Sequence, residues 1–240
     1  MFHIPEIGFE IQDIVDGNTR YLDDLITLYL RLFPGYERYI SVMRRRAVRP
    51  SRAVPPFVDH QWLALVNGQT AGMVVFKYNQ KRNCGLGLDL GVHPDFRVIT
   101  YKGRTRLAKL LIDLRHEQLI LDASSLGDPM PIGSLVEVES PHVVTQFRKY
   151  GLQQLPVKYV EPPVPVDALE LMDRREVEET AYKPMHLGIY PIDRERFDPK
   201  DPAQLSDLIR AYLVDHYGLP ETHWAVREAL QSILTEESAK

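Results

Sequence analysis

The chain has 240 residues, 44% hydrophobic and 26% charged, enough for one substantial core or for a domain with an extension. A formal charge of −4 and a pI of about 6.1 argue against a dedicated nucleic-acid binder, and the single cysteine, Cys84, excludes a disulfide framework and thiolate zinc sites. There is no signal-peptide pattern and no apolar run approaching the roughly 18 residues of a membrane span, so a soluble cytoplasmic protein without a membrane or nucleic-acid partner is expected.

Phe9 to Ile14 alternates like a strand. Asn18 is placed to cap a helix whose apolar stripe is Leu22, Leu25, Ile26, Tyr29 and Phe33; Pro34-Gly35 ends it, and a second helix runs to about Arg46. Val48 to Pro56, with three prolines, reads as a loop. The strands Gln61–Val66 and Thr70–Lys77 flank Asn67-Gly68, the strongest hairpin signal in the chain. A glycine-rich strand follows from Cys84, then a helix carrying Leu107, Leu110, Leu111, Leu114 and Leu121. Ser134–Glu139 reads as a strand, Val143–Tyr150 as a helix and Val157–Glu161 as a strand. The succession is a mixed α/β architecture. Further on, Ala168 to Glu179 is acidic and helical in pattern, Met185–Ile192 is a last strand, and Asp201-Pro202 is an N-cap and first-turn pair. That pair leads Leu205, Leu208, Ile209, Tyr212 and Leu213 at helical spacing, and a second helix after Pro220 carries Trp224, Leu230, Ile233 and Leu234.

The densest information lies between residues 84 and 122, which read as strand, basic glycine-containing turn and amphipathic helix, a common way to build a phosphate cradle. Strict alternation puts Leu86, Leu88, Leu90 and Val92 on one face of the strand and Gly87, Asp89 and Gly91 on the other. A face stripped to one carboxylate suits close approach of a ligand or of a neighbouring backbone. Lys102, Arg104 and Arg106 supply positive charge around Gly103, and the following helix N-terminus adds about half an elementary charge.

Val92-His-Pro-Asp-Phe-Arg97 resembles the end of the fourth strand in the GNAT superfamily of N-acyltransferases. There a Val-x-Pro-x-x-Arg segment runs into an Arg/Gln-x-x-Gly-x-Gly/Ala turn that grips the pyrophosphate of acyl-CoA. Phe147-Arg-Lys-Tyr-Gly-Leu152 is similar to the aromatic-x-x-x-Gly-Phe ending of that family's fourth core helix, and the order of elements fits over roughly residues 8 to 165. If Arg97 takes the place of Arg/Gln, Thr100 and Lys102 stand where glycines belong; if the turn is shifted, Lys102 takes that place and Thr105 and Leu107 replace the glycines. The apolar stripes beyond residue 192 read as a helical extension over 193–240, packed on the core or at a homodimer interface, and the resemblance implies a GNAT-like fold with a mostly antiparallel central sheet over residues 1–192. It implies acetyl-CoA or another acyl-CoA as co-substrate, held by Val92, Arg97, Lys102, Gly103, Arg104, Thr105 and Arg106, with a small-molecule primary amine as acceptor and no metal.

Glu137 and Glu139, two apart on one strand, face the same side, and in a GNAT-like sheet they would approach Asp89. Carboxylates in such a cleft would attract a cationic amine and deprotonate it; the alternative for the glutamates is a solvated sheet edge. Asp89 is the leading base, with Glu137 and Glu139 as the other catalytic candidates. His93 and His142 sit beside prolines at strand ends, where structural roles are the commoner use. Ser140-Pro-His142 lacks a glycine elbow, which discounts a hydrolase triad, and Cys84 reads as a small buried hydrophobe. The tyrosine that many family members use as general acid is Phe147 here, leaving Tyr150 and Tyr159 as other phenols. Arg44 to Arg52 holds five arginines in nine residues, either a solvated helix end or a surface for an anion such as an acyl-carrier protein. The expected function is acyl transfer from a CoA thioester to an amine, the alternatives being a carrier-protein donor or a non-catalytic ligand-binding protein.

Overall fold

A computed structural model describes residues 2–101, 105–163 and 182–237. The chain is mixed α/β and divides into two compact units, Met1–Tyr78 with Gly87–Leu126, and Asn79–Leu86 with Gly127–Lys240. The acidic stretch 168–179 and the basic residues Lys102, Gly103 and Arg104 lie outside the described residues.

The first unit holds β1 (His3–Ile4), β2 (Phe9–Asp13), β3 (Ala53–Val54), β4 (Phe57–Val66), β5 (Gln69–Asn79) up to Tyr78, and β6 (Cys84–Val92) from Gly87 on. β2 and β3 each pair antiparallel with β4. Asn67 and Gly68 both adopt positive φ, 51° and 75°, the mirror-image turn that a two-residue hairpin requires. α1 (Leu22–Leu32) and α2 (Ile40–Val48) pack Leu25, Tyr29 and Met43 on Leu63, Leu65, Met73 and Val75. Asn18 does not cap α1: its side chain donates to the Asp13 carbonyl at 2.7 Å, and the helix starts at Leu22.

β4 is buried along almost its whole length, so its alternation shows in what each residue touches. Gln61 donates to the Ile14 and Met43 carbonyls on the α1–α2 side. His60 points the other way and meets Asp122 on α3 (Leu107–Ser125). Three arginines of the run are taken up by acids, while Arg44 and Arg45 stay exposed. Arg46 lies 3.6 Å from Asp59, Arg49 also pairs with Asp59, and Arg52 bonds Asp13 and Asp16 at 2.7 and 2.6 Å. Burial works against the Asp59 charge, but Lys77, Arg46 and Arg49 hold its carboxyl far below the ordinary range.

In the second unit β9 (Gly133–Val138) runs antiparallel to β12 (Lys183–Pro191), which also pairs with β10 (Gln153–Gln154) and β11 (Tyr159–Glu161). α4 (Pro141–Arg148) is capped by Ser140, whose hydroxyl accepts from the Val143 N–H at 3.4 Å. α5 (Pro202–Arg210) is capped by Asp201 and buries Leu205, Leu208 and Ile209. α5 then widens into a π-helical segment, Ala211–His216, before α6 (Trp224–Glu237). The Tyr217 N–H reaches back five residues to the Tyr212 carbonyl at 2.8 Å. In an α-helix residues five apart point about 140° away from each other. The wider turn brings both rings to one side, where Tyr212 Oη donates to the Leu135 carbonyl and Tyr217 Oη to Glu137, partners two apart on β9. The extension thus packs on the strands of its own unit.

Candidate functional site

The candidate donor side is built where β6 ends. Val92 is buried, and the His93 N–H donates to the Ala71 carbonyl at 2.9 Å, tying the strand end to β5. Exposed Arg97 folds back and donates through Nε to the Val92 carbonyl at 3.2 Å. A two-residue ribbon follows, β7 (Thr100–Tyr101) against β8 (Thr105–Arg106), and its register brackets residues 102–104. Arg106 is the N-cap of α3, with extended backbone (φ −71°, ψ 154°). No side chain caps this 19-residue helix and no acid lies in its first turn. Among the described residues its leading N–H groups therefore have no side-chain cap, and the exposed Arg106 stands beside them. That donor set suits a phosphate.

Asp89 lies on β6 in the same unit, and here strict alternation fails. Leu88 packs against the α1–α2 core, yet Gly91, three residues on, also faces α1: a Cβ there would stand 2.5 Å from Leu32 Cδ1 and 3.4 Å from the Phe33 ring. Odd and even positions of β6 thus face the same α1–α2 core, so the strand does not keep the regular alternation drawn from its sequence. Tyr29 on α1 is fully buried and its hydroxyl has no hydrogen-bond partner among the described residues. Burial first and the Asp89 carboxylate second push its phenol far up, with Tyr39 and Tyr36 acting in the same direction. Tyr36 and Tyr39 stack at 6.1 Å, and the Arg38 guanidinium sits 5.3 Å from each ring centre. Tyr29, Tyr36 and Tyr39 were not singled out as site residues by sequence; only the helical stripe through Tyr29 signalled any of them.

Glu137 and Glu139 belong to the second unit. Glu137 accepts from Tyr159 Oη at 2.5 Å on one oxygen and from Tyr217 Oη at 2.8 Å on the other. Tyr159 is thereby a donor to a carboxylate, and burial together with Glu137 pushes its phenol well up. β9 ends at Val138, one residue before Glu139, which is exposed and bonds Lys183 Nζ at 2.6 Å. Burial likewise pushes the Cys84 thiol well up, in keeping with a packed hydrophobe. His142 contacts Gln146 at 2.7 Å, and Ser140 is occupied as a helix cap. Among the described residues no group of His, Cys, Asp and Glu is placed to hold a metal ion, and no helix is long and apolar enough to cross a membrane.

No family model matches the chain, and no curated protein matches it. Solved structures it is similar to include acetyltransferases. An acetyltransferase from Bacillus subtilis in complex with CoA is 15% identical over 77% of this chain and 99% of that one, with a TM-score of 0.42. A GNAT family acetyltransferase from Elizabethkingia anophelis with acetyl-CoA bound is 15% identical over the same shares, with a TM-score of 0.43. A tandem GNAT protein from the clavulanic acid biosynthesis pathway is 13% identical over 63% of this chain and 46% of that one, with a TM-score of 0.45. At such identities and scores the functional reading rests on this chain's own residues.

Proposed function

We propose that the protein is an N-acyltransferase that moves an acyl group, most simply acetyl, from acyl-CoA to a primary amine. The observation that carries this reading is the N-terminus of α3: uncapped, free of acid in its first turn, and preceded by a strand and a basic turn of the resembling pattern. Thr105, Arg106 and the first-turn N–H groups would hold the pyrophosphate together with Lys102, Gly103 and Arg104, while Val92 and Arg97 would border the pantetheine side.

Asp89 is assigned as the base. It lies in the same unit as this cradle, whereas both oxygens of Glu137 already accept phenol protons and Glu139 is paired with Lys183. Asp89 would take a proton from the ammonium form of the acceptor, directly or through a water, and the freed amine would attack the thioester carbonyl. The C–N bond forms and the C–S bond breaks; the attached nitrogen gives up its second proton to the departing CoA thiolate, whose thiol pKa of about 8.5 lets it leave without a dedicated acid. The carrier-protein alternative drew on the arginines of 44 to 52, and the pairing of Arg46, Arg49 and Arg52 with Asp59, Asp13 and Asp16 removes much of that charge. The test is release of free thiol from acetyl-CoA with a panel of primary amines. Amine-dependent release supports the reading; release with none of the amines, from protein that binds acetyl-CoA, leaves the non-catalytic alternative.

A further inference from the structure

We propose that the second unit holds a separate binding site for a small organic anion with an apolar body. The site is a cavity of about 410 Å³ bounded by the end of α4, β10 and the turn after β12. Its charged lining is Arg148 and Arg194, both exposed, and no acid lines it. Neither guanidinium makes a hydrogen bond or an ion pair with a described residue, unlike neighbouring Arg196, which bonds the Met130 carbonyl at 2.9 Å and lies 3.6 Å from Asp193. Arg148 sits in the last turn of α4, where a cation complements the helix dipole; Arg194 is on a turn and has no such use. In a chain of net charge −4, two arginines with no acidic partner among the described residues, both lining one cavity, form a local site for an anion.

The walls define the rest of the ligand. The apolar lining is Pro191, Pro199 and the small surface that Leu152 and Phe197, 3% and 8% exposed, leave open, and the Gln153 amide adds a polar group. The volume falls at the lower end of the roughly 300–1,000 Å³ of small-molecule sites. Planar guanidinium forks match carboxylate and phosphate oxygens in pairs. The geometry therefore selects a carboxylate or phosphate monoester on a single-ring-sized body. Nothing in it depends on the acyl-transfer reading, because the proposed CoA cradle lies in the first unit.

The experiment is calorimetric titration of the full chain with phenyl phosphate and with benzoate, alongside inorganic phosphate and benzyl alcohol. Saturable single-site binding of either aromatic anion is expected, weakened roughly tenfold in Arg148→Gln and in Arg194→Gln and unchanged in Arg106→Gln. Arg194→Lys, which keeps the charge but loses the fork, should fall between. Both arginines are exposed and without a partner among the described residues, so melting temperatures should stay at the wild-type value and show that the variants fold. Absence of saturable binding of both aromatic anions, or binding by Arg148→Gln and Arg194→Gln as tight as by the wild type, would overturn the site. Inorganic phosphate binding as tightly as phenyl phosphate, or tight binding of benzyl alcohol, would overturn the ligand class.

Discussion

Raising the pH from 6.5 to 9 should destabilise the first unit through one buried imidazolium. His60 is fully buried, stacked on Phe76 at 4.6 Å, and held between two carboxylates: Nδ1 lies 2.7 Å from Asp13 Oδ2 and Nε2 lies 3.0 Å from Asp122 Oδ2. With both nitrogens donating, the ring is a cation, and Arg52 Nη1 at 3.3 Å from Nδ1 serves the same Asp13 oxygen. Burial alone would depress the His60 pKa; the hydrogen bonds and charges of Asp122 and Asp13 overcome it and raise it to about 9. Against an ordinary value near 6.5, at about 1.4 kcal/mol per unit, the proton contributes on the order of 3 kcal/mol. The folded chain binds this proton more tightly than the unfolded one, so the contribution is full below pH 6.5, falls between 6.5 and 9 and is gone above that. Asp13, held below its ordinary value, is ionised throughout this window and adds no slope. Urea unfolding at pH 6.5, 7.5 and 9 should show the wild type losing about 3 kcal/mol. His60→Gln should show a much flatter profile from a lower starting stability. A flat wild-type profile, or the same slope in His60→Gln, would refute the reasoning.

Other consequences are as direct. Tyr217→Phe leaves one Glu137 oxygen without its phenol donor and should cost about 1–2 kcal/mol in urea unfolding at pH 7; no change would mean that bond contributes nothing. Gly133→Ala places a Cβ 2.6 Å from Ile189 Cδ1 and 2.8 Å from the Tyr190 carbonyl oxygen, and should cost roughly 1–3 kcal/mol. Gly91→Ala meets chiefly the end of the Leu32 side chain, which can rotate, so it should cost less; the reverse order would contradict this packing. Asp89→Asn should lower kcat for acyl transfer by about 10²- to 10⁴-fold with little change in melting temperature, and a fully active variant would move the base elsewhere.

What the sequence revealed was what is encoded locally. Asn67-Gly68 makes its turn because both residues tolerate positive φ, and Asp201-Pro202 starts α5 because its cap needs only neighbouring N–H groups. What depends on distant partners was hidden. The arginine run looks like an exposed basic patch until β2 and β4 bring Asp13, Asp16 and Asp59 against it. Asn18 has cap chemistry, but the Asp13 carbonyl takes its amide. Tyr217 comes to the same side as Tyr212 only through the five-residue π spacing, which the sequence does not announce. Tyr159 reads as a free phenol until it meets Glu137, and Tyr29 reads as plain core until Asp89 is placed near it.

The most direct test of the account is calorimetric titration of the full chain with acetyl-CoA, repeated on Arg106→Glu and on the Lys102→Ala/Arg104→Ala double variant. The account predicts saturable binding by the wild type, weakened at least tenfold in each variant while all three proteins melt at similar temperatures. No binding by the wild type, or binding indifferent to both variants, would contradict the donor cradle at the head of α3.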